Sequence, residues 1–290
     1  MRRRERRAAG GYHPYHGRRH PLRIFLIIFL TLLLLAGGLY IYARWVEPQL
    51  LKTEHLTISD PHVTAPLRAV VVADLHVGMN CGAQRVARVM DRVAELKPDA
   101  VFFLGDLFDN YSMYAEGDEA LLTELLSLSA LPDAQKYAVW GNHDVGGGAE
   151  NIYSEIMGNA GWTLLKNETA ILPGNINLIG ADDLIWGRPD VQGLTRDDAF
   201  NLLLCHEPDY ADRVTGVQLQ LSGHTHGLQI NLPFSAYRSA IAPPGGHHYL
   251  FGRYEKADGG LVYVTRGIGM SLMPYRFAAV PEITLVEVTP

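Results

Sequence analysis

The sequence predicts an α/β fold, in which buried strands alternate with helices. Apolar runs at residues 69–73, 100–104 and 137–140 each end in polar residues that are able to bind a ligand. Between the first two runs, residues 84–96 place apolar side chains at helical spacing, and Pro98 closes the segment. Continuous apolar strands joined by helices are typical of parallel sheets that are covered on both faces. Such sheets bind ligands at the carboxyl ends of their strands, so functional side chains are expected there.

The remaining elements continue this alternation along the chain. Residues 119–131 and 149–160 have helical periodicity, and Pro132 closes the first of these segments. Apolar runs then predict strands at 162–165, 170–172, 176–179, 201–205, 217–221, 261–264 and 283–288. A chain of 290 residues with 48% hydrophobic content can bury one substantial core, so we predict one folded domain with an appendage.

Charge is distributed unevenly along the chain. Residues 1–23 contain eight arginines and one glutamate, whereas the remainder contains 17 basic and 30 acidic residues. A body this acidic is a poor candidate for nucleic-acid binding, which depends on Lys and Arg contacts to phosphates. The two cysteines, Cys81 and Cys205, exclude a disulfide framework and leave room for one bridge.

The N-terminal segments predict a membrane protein with a single span. Residues 1–21 are predicted to be a disordered basic tail in the cytoplasm, and residues 22–43 are apolar for the length of a transmembrane helix. Residues 44–66 are predicted to be a linker, and 67–290 the folded domain. A cleaved signal peptide is the alternative, but its apolar region would be shorter, at about 7 to 15 residues. The arginines before the span place the N-terminus in the cytoplasm and the domain on the far side of the membrane.

Five histidines occupy the same kind of position, directly after an apolar run and beside Asp, Asn or Gly: His76, His143, His206, His224 and His226. His55, His62, His247 and His248 lack this context and are interpreted as ordinary histidines. Together with neighbouring acids and an amide, the pattern predicts a metal-ligand set: Asp74, His76, Asp106, Asn142, His206, His224 and His226. Seven nitrogen and oxygen donors without sulfur suit two divalent ions that share one carboxylate. Imidazole and carboxylate ligands favour manganese, zinc or iron.

The motifs Asp-x-His, Gly-Asp, Gly-Asn-His-Asp, an isolated His and Gly-His-x-His occur in this order within residues 69–226. In this order they resemble the calcineurin-like metallophosphoesterase superfamily. The stretch 265–269, followed by Pro274, Arg276, Pro281 and Glu282, resembles its bacterial membrane-anchored phosphodiesterase branch. The resemblance implies a four-layer α/β/β/α sandwich, with two mixed sheets flanked by helices, and assigns residues 67–290 to a metallophosphoesterase domain.

The resemblance also implies a role for each site residue. Asp106 would bridge the two metals, and a water between them would attack phosphorus. The first metal would be held by Asp74, His76, Asp106 and His226, and the second by Asp106, Asn142, His206 and His224. His143 would stabilise the transition state or protonate the leaving oxygen. Asp144 would either orient the His143 imidazole or cap the turn.

The leading functional prediction is a membrane-anchored phosphodiesterase or pyrophosphatase that acts on a phosphoester, with a lipid-linked substrate as one option. Apolar residues after the metal motif either line an acyl groove or belong to the core: Leu232, Phe234, Tyr237 and Ile241. A protein phosphatase is disfavoured, because that class carries an arginine shortly after Gly-Asp, whereas this chain has the sequence Leu-Phe-Asp-Asn at residues 107–110. That class also has a glutamate where this chain has Asp144.

Two alternative functions remain open from the sequence. A hydrolase of a UDP-2,3-diacylglucosamine-type lipid precursor would use the same chemistry, although that substrate faces the cytoplasm, in conflict with the predicted orientation. A non-catalytic metal-binding membrane protein is the second alternative. Loss of His143 or of several ligands would mark such a protein, and the sequence retains all of them.

Overall fold

The computed structural model describes residues 21–114 and 119–290 of the chain. It divides into two compact units, of which the first ends at Ile41 and the second comprises Tyr42–Pro290. The predicted tail at residues 1–21 lies outside the described residues, apart from Pro21.

The first unit contributes one described element, the helix α1 (Pro21–Ile41), whose side chains are all exposed. Its 21 residues give a length of about 32 Å, close to the roughly 30 Å of a bilayer's hydrocarbon core. An apolar helix was predicted at residues 22–43 and is present. Its length and composition fit a membrane span and also a signal sequence near the N-terminus.

The second unit consists of strands and short helices that follow one another along the chain. In chain order they are β1 (Lys52–Ser59), β2 (Leu67–Val72), α2 (Ala83–Glu95), β3 (Ala100–Phe103), α3 (Tyr111–Tyr114), α4 (Glu119–Leu126), β4 (Gln135–Ala138), α5 (Asn142–Gly146), α6 (Glu150–Asn159), β5 (Thr163–Leu164), β6 (Glu168–Leu172), β7 (Ile176–Gly180), β8 (Phe200–Leu204), β9 (Leu219–Ser222), α7 (Ser235–Ile241), β10 (Gly252–Glu255), β11 (Leu261–Val264) and β12 (Glu282–Thr289).

The strands form two mixed sheets. The first sheet has the order β1-β12-β2-β3-β4-β5, with β12 antiparallel to β2 and every other pair parallel. The second has the order β10-β11-β9-β8-β7-β6, with antiparallel pairs at its two edges and parallel pairs between them. The predicted α/β fold with two mixed sheets flanked by helices is therefore confirmed.

Alternate residues of the central strands face two different apolar layers. Val70 and Val72 of β2 pack with α2, α4 and α6 on the outer face of the first sheet. Ala69 and Val71 face the opposite way, into the layer between the sheets, together with Phe102 of β3. This alternation explains why the sequence of these strands is continuously apolar, since both faces are buried.

The segment 44–66, predicted to be a linker, contains strand β1. Each residue of β1 pairs with β12, from Lys52 with Glu282 to Ser59 with Thr289. Only Leu56 of β1 is buried, because β1 lies at the edge of the sheet. A strand with one buried side chain lacks the apolar pattern on which sequence analysis depends, and its partner lies more than 200 residues away in the chain.

Candidate metal centre

The seven predicted metal ligands lie together at the carboxyl ends of five parallel strands. Asp74 and His76 follow β2, Asp106 follows β3, and Asn142 follows β4. His206 follows β8 of the second sheet, and the pair His224 and His226 follows β9. Both sheets therefore contribute to one site at the same end of the domain, where parallel strands place their ligands.

The first group of ligand atoms comes from Asp74, His76, Asp106 and His226. All four residues are buried, and one ligand atom from each lies within 4.8 Å of the others. Asp106 Oδ2 is 3.3 Å from His76 Nε2. The rings of His76 and His226 have centroids 4.7 Å apart.

The second group comes from Asp106, His206 and His224, with one ligand atom from each within 4.8 Å of the others. His206 Nε2 lies 3.1 Å from the same Asp106 Oδ2. Asn142 joins this group, because its Oδ1 lies 2.9 Å from His224 Nδ1. Asp106 thus belongs to both groups, and its Oδ2 lies between a histidine of each.

Backbone carbonyls fix which nitrogen of two histidines points into the site. His206 Nδ1 donates to the carbonyl oxygen of Leu104 at 2.6 Å, which leaves the Nε2 lone pair directed at Asp106. His224 is reversed, since its Nε2 donates to the carbonyl oxygen of Pro244 at 2.8 Å and Nδ1 faces the site. Outer hydrogen bonds of this kind orient metal-binding imidazoles and fix their tautomer.

Four buried polar atoms of these residues have no hydrogen-bond partner within the described residues: Asp74 Oδ2, His76 Nδ1, His76 Nε2 and His206 Nε2. Buried polar atoms are nearly always satisfied in proteins, so four unpartnered atoms on three neighbouring residues indicate a place that a cation would fit. The donor set, which combines carboxylate and amide oxygens with imidazole nitrogens, suits a divalent metal. The residues present therefore fit a metal centre.

Burial and neighbouring charges shift the pKa values of the carboxyl and imidazole groups in the site. Burial raises the pKa of Asp74, and the neighbouring Asp106 raises it further, while His206 opposes both. Burial and the nearby His206 lower the pKa of His224 to about 4. Burial alone would lower the pKa of His76, but the Asp106 and Asp109 carboxylates raise it to about 9. A bound cation would favour ionised carboxylates and neutral imidazoles throughout.

Five of the seven ligand residues have a left-handed backbone, which residues other than glycine rarely adopt: Asp74, His76, Asp106, His224 and His226, with φ between 46° and 71°. Each such residue costs of order 1–3 kcal/mol, and strain of this kind concentrates at functional sites. Gly141 permits the close packing, because a Cβ there would lie 2.3 Å from Asp106 Oδ1. The tight turns after β2, β3 and β9 bring side chains from both sheets together in one site.

His143 lies at the edge of the site and is partly exposed. Its Nδ1 contacts the carbonyl oxygen of Asp109 at 2.6 Å, and its Nε2 lies 3.4 Å from Ser271 Oγ in the cleft. Its backbone N–H donates to Asp106 Oδ1 at 2.8 Å. The imidazole therefore lies between the Asp109 carbonyl and the cleft.

Asp109 was not predicted as a site residue. Its Oδ1 lies 3.4 Å from His76 Nδ1 and 4.0 Å from His143 Nδ1, so one carboxylate contacts two histidines of the site. The three residues form a further group of potential metal ligands. We interpret Asp109 as the outer carboxylate that orients His76, an arrangement common around metal-bound histidines. Its position three residues after Asp106 was the available sequence signal.

The Asp144 carboxylate makes the hydrogen bonds of a turn cap. It is fully buried, and its carboxylate accepts hydrogen bonds from the backbone N–H groups of Asp106, Leu107 and Gly141 at 2.8, 2.9 and 3.2 Å. Burial, with the charge of Asp106, raises the pKa of Asp144 to about 7. Asp144 thus joins the turns after β3 and β4. The Asp109 carbonyl, rather than Asp144, contacts the His143 ring.

Arg276 lies behind the site and is fully buried. Its guanidinium donates to the carbonyl oxygens of Arg266, Gly269 and Ala279 at 2.5–3.0 Å, and it approaches His226 Nδ1 to 3.4 Å. Burial lowers its pKa to about 10. Arg276 therefore holds the C-terminal loop against His226.

A cleft of about 360 Å³ opens above the metal ligands and is partly apolar. Asp106, Asn142, His143, His224 and His226 form its polar floor. Its apolar walls are formed by Ile185, Trp186, Leu228, Ile241, Leu272 and Met273. Of the four residues considered for an acyl groove, Ile241 lines this cleft and none is buried in the core.

Both cysteines are buried and free, so the single bridge left open by the sequence does not form.

Comparison with known proteins identifies the family. The model of the calcineurin-like phosphoesterase family matches residues 67–228. The chain is 39% identical over 264 residues to the metallophosphoesterase YkuE of Bacillus subtilis (strain 168), which covers 87% of this chain and 90% of that protein. It is 30% identical over 236 residues to the phosphodiesterase YaeI of Escherichia coli (strain K12), with coverages of 77% and 82%.

A further relative is the UDP-2,3-diacylglucosamine pyrophosphatase LpxG of Chlamydia trachomatis. The two sequences are 26% identical over 323 residues, and the alignment covers 89% of this chain and 95% of that protein. The family match, which extends from β2 to the residues after β9, contains every predicted metal ligand. The chain therefore belongs to the calcineurin-like phosphoesterase family, and it is an enzyme of the phosphoesterase class.

Proposed function

We propose that the protein is a membrane-anchored phosphodiesterase or pyrophosphatase with two divalent metal ions. The observation that carries the proposal is the position of Asp106 Oδ2, 3.3 Å from His76 Nε2 and 3.1 Å from His206 Nε2. One carboxylate oxygen between two groups of ligand atoms suits a bridge between two cations. We assign Asp74, His76, Asp106 and His226 to one ion, and Asp106, Asn142, His206 and His224 to the other.

The bound ions would supply Lewis acidity and acidify the attacking water. The chain's own residues then position the substrate and move a proton. Because the Asp109 carbonyl holds His143 Nδ1 at 2.6 Å, the opposite nitrogen, Nε2, faces the cleft. Nε2 can donate a proton to the oxygen of the leaving group as the phosphoester bond breaks. Asp144 holds the two turns that carry Asp106 and His143 in register.

A phosphodiester is favoured over a phosphomonoester by the lining of the cleft. A diester keeps a second substituent on phosphorus, and the walls beside the metal ligands are apolar, with Trp186, Ile241 and Leu272 among their residues. An apolar or aromatic substituent would pack against these walls, and this would remove its apolar surface from water. The phosphodiesterase YaeI among the relatives supports the same assignment.

We expect the purified full chain to hydrolyse an aryl phosphodiester when supplied with manganese, zinc or iron, and a metal chelator to abolish this activity. The measurement is product release against bis(4-nitrophenyl) phosphate, with 4-nitrophenyl phosphate as the monoester control. A higher kcat/KM for the diester supports the assignment. Inactivity with all three metals would contradict it, provided that metal analysis shows the protein to be loaded.

A second candidate is hydrolysis of a UDP-diacylglucosamine-type pyrophosphate. It is favoured by the partly apolar cleft and by the similarity to LpxG, whose name carries that activity. Including this nucleotide-linked lipid in the same assay separates the two candidates, because a UDP-diacylglucosamine hydrolase would prefer it to the aryl diester by a large factor in kcat/KM.

We propose that α1 (Pro21–Ile41) is an uncleaved membrane span. The N-terminus would lie in the cytoplasm, and residues 67–290 would lie on the opposite side of the membrane. The support is the length of the apolar helix and the eight arginines within residues 1–23. A C-terminal alkaline phosphatase fusion, which is active only outside the cytoplasm, should be active. A green fluorescent protein fusion should be dark, and the reverse pair of results would contradict the orientation.

A further inference from the structure

We propose that the rim of the catalytic cleft is a membrane-docking surface, so that the cleft opens onto the surface of the bilayer. The rim is defined here by six exposed apolar residues: Met79, Met113, Trp186, Ile241, Leu272 and Met273. The proposal rests on the membrane anchorage proposed above and is independent of the identity of the substrate.

The rim residues surround two neighbouring clefts. Trp186, Ile241, Leu272 and Met273 line the cleft above the metal ligands. Met79, Met113 and Leu272 line a second cleft beside it. The two clefts share His143, Ser271 and Leu272, so the six side chains border one continuous region around the site.

The exposure of Leu272 is imposed by the fold. This side chain is 97% exposed, and its backbone is left-handed, with φ of 62°. Leucine has no polar group that would favour such a conformation, so the surrounding structure must maintain it. A fully exposed leucine in a strained turn next to an active site indicates a side chain that is presented to a partner.

Hydrogen bonds on both sides hold the turn in place. The buried side chain of Gln229 donates to the carbonyl oxygen of Ser271 at 2.6 Å and accepts from its N–H at 3.1 Å. After the turn, the N–H of Arg276 donates to the carbonyl oxygen of Ala43 at 2.9 Å. Leu272 and Met273 therefore project from a turn that is fixed at each end.

The contact with Ala43 also shows where the chain enters the domain. Residues 42–46 lie at the start of the second unit, and Arg44 lines the same cleft as Met79 and Leu272. Three residues of this segment, Tyr42, Trp45 and Val46, are more than one third exposed. Because the apolar helix α1 ends at Ile41, the proposed bilayer is within a few residues of the rim along the chain.

This short connection identifies the bilayer as the occupant. A protein partner would need a specific complementary surface, whereas the bilayer is brought to the rim by the chain itself. Apolar and aromatic side chains with a nearby arginine are typical of segments at the membrane interface. Two exposed large apolar residues elsewhere in the described part of the domain, Leu121 and Ile171, line neither of these clefts.

The test compares the environment of a fluorophore at two exposed positions. Leu272→Cys and Ile171→Cys are each labelled with the environment-sensitive dye NBD in the full chain. The native Cys81 and Cys205 are buried and will not react while the protein is folded. The labelled proteins are reconstituted into phosphatidylcholine–phosphatidylglycerol vesicles, and flotation checks that they are membrane-bound. Ile171 is the matched control, because it is an apolar residue that is 58% exposed on strand β6.

We expect the label at 272 to emit at shorter wavelength and to be quenched by doxyl-labelled lipid, while the label at 171 is quenched only by aqueous iodide. A Met79→Cys label should behave like the label at 272. Vesicle-bound protein with iodide-accessible labels at 272 and 79 would overturn the docking surface while leaving the anchorage and the hydrolytic function intact. A label at 272 that is shielded from both quenchers would indicate that this chain or a second copy of it covers the position, and would also overturn the docking surface. Failure to float would remove the anchorage and the docking surface together.

Discussion

Replacing Asp106 by alanine is expected to remove both metal ions and abolish hydrolysis. Asp106 Oδ2 lies within 3.3 Å of a histidine nitrogen of each ligand group, so this carboxylate is placed to serve both ions. Loss of an outer partner of a metal ligand already costs about 10- to 100-fold in affinity, and loss of a bridging ligand should cost more for each ion. The measurement is metal content by mass spectrometry, together with hydrolysis of an aryl phosphodiester.

The Asp106 variant is best compared with Asp74→Ala and His206→Ala, which each belong to one ligand group. We expect Asp106→Ala to bind no ions, and we expect Asp74→Ala and His206→Ala to bind one ion each. Circular dichroism of all three variants checks that the fold survives each substitution. An Asp106 variant that keeps two ions, or a wild-type protein that binds one, would contradict the shared carboxylate.

Replacing His143 by alanine is expected to lower kcat by about 10²- to 10⁴-fold, the usual contribution of a general acid or base, and to leave the metal content unchanged. The ring belongs to neither of the two ligand groups that contain Asp106. Its link to Asp106 runs through the backbone N–H, which alanine retains. The loss therefore isolates the contribution of the imidazole from that of the metal ligands.

The leaving group distinguishes proton donation by His143 from a purely electrostatic role. A nitrophenolate leaves without protonation, whereas an alkoxide requires a proton. If Nε2 donates that proton, the His143 variant should lose more activity on an alkyl phosphodiester than on the nitrophenyl diester. His62→Ala is the control, since its ring contacts Asp60 outside the cleft and the variant should resemble wild type. Equal activity of the His143 variant and wild type would remove this residue from the mechanism.

Local patterns in the sequence were sufficient to predict the buried strands and the site residues at their ends, whereas the arrangement in two sheets was implied by the resemblance to the superfamily. Central strands buried on two faces are continuously apolar, and their carboxyl ends meet at one edge by the geometry of parallel sheets. Asp74, Asp106 and Asn142 could therefore be placed together before their distances were known. The second sheet contributes His206, His224 and His226 by the same rule.

The features that sequence analysis missed depend on contacts between distant residues. Strand β1 is polar along most of its length, and its existence depends on pairing with β12. The contacts of Asp109 with two histidines, and of buried Arg276 with loop carbonyls, appear only after the turns have folded. Asp144 had two predicted roles, and only the hydrogen bonds to backbone N–H groups distinguish them.

The position of β12 in the first sheet has a consequence for biosynthesis. Residues 282–289 form a strand that is inserted between β1 and β2, so these two N-terminal strands have no direct pairing with each other. The sheet stays divided until residues 282–289 have been translated, and long-range pairing of this kind is slow to form. The first sheet can therefore be completed only after this last strand has been made, and its two N-terminal strands are held together by the C-terminal one.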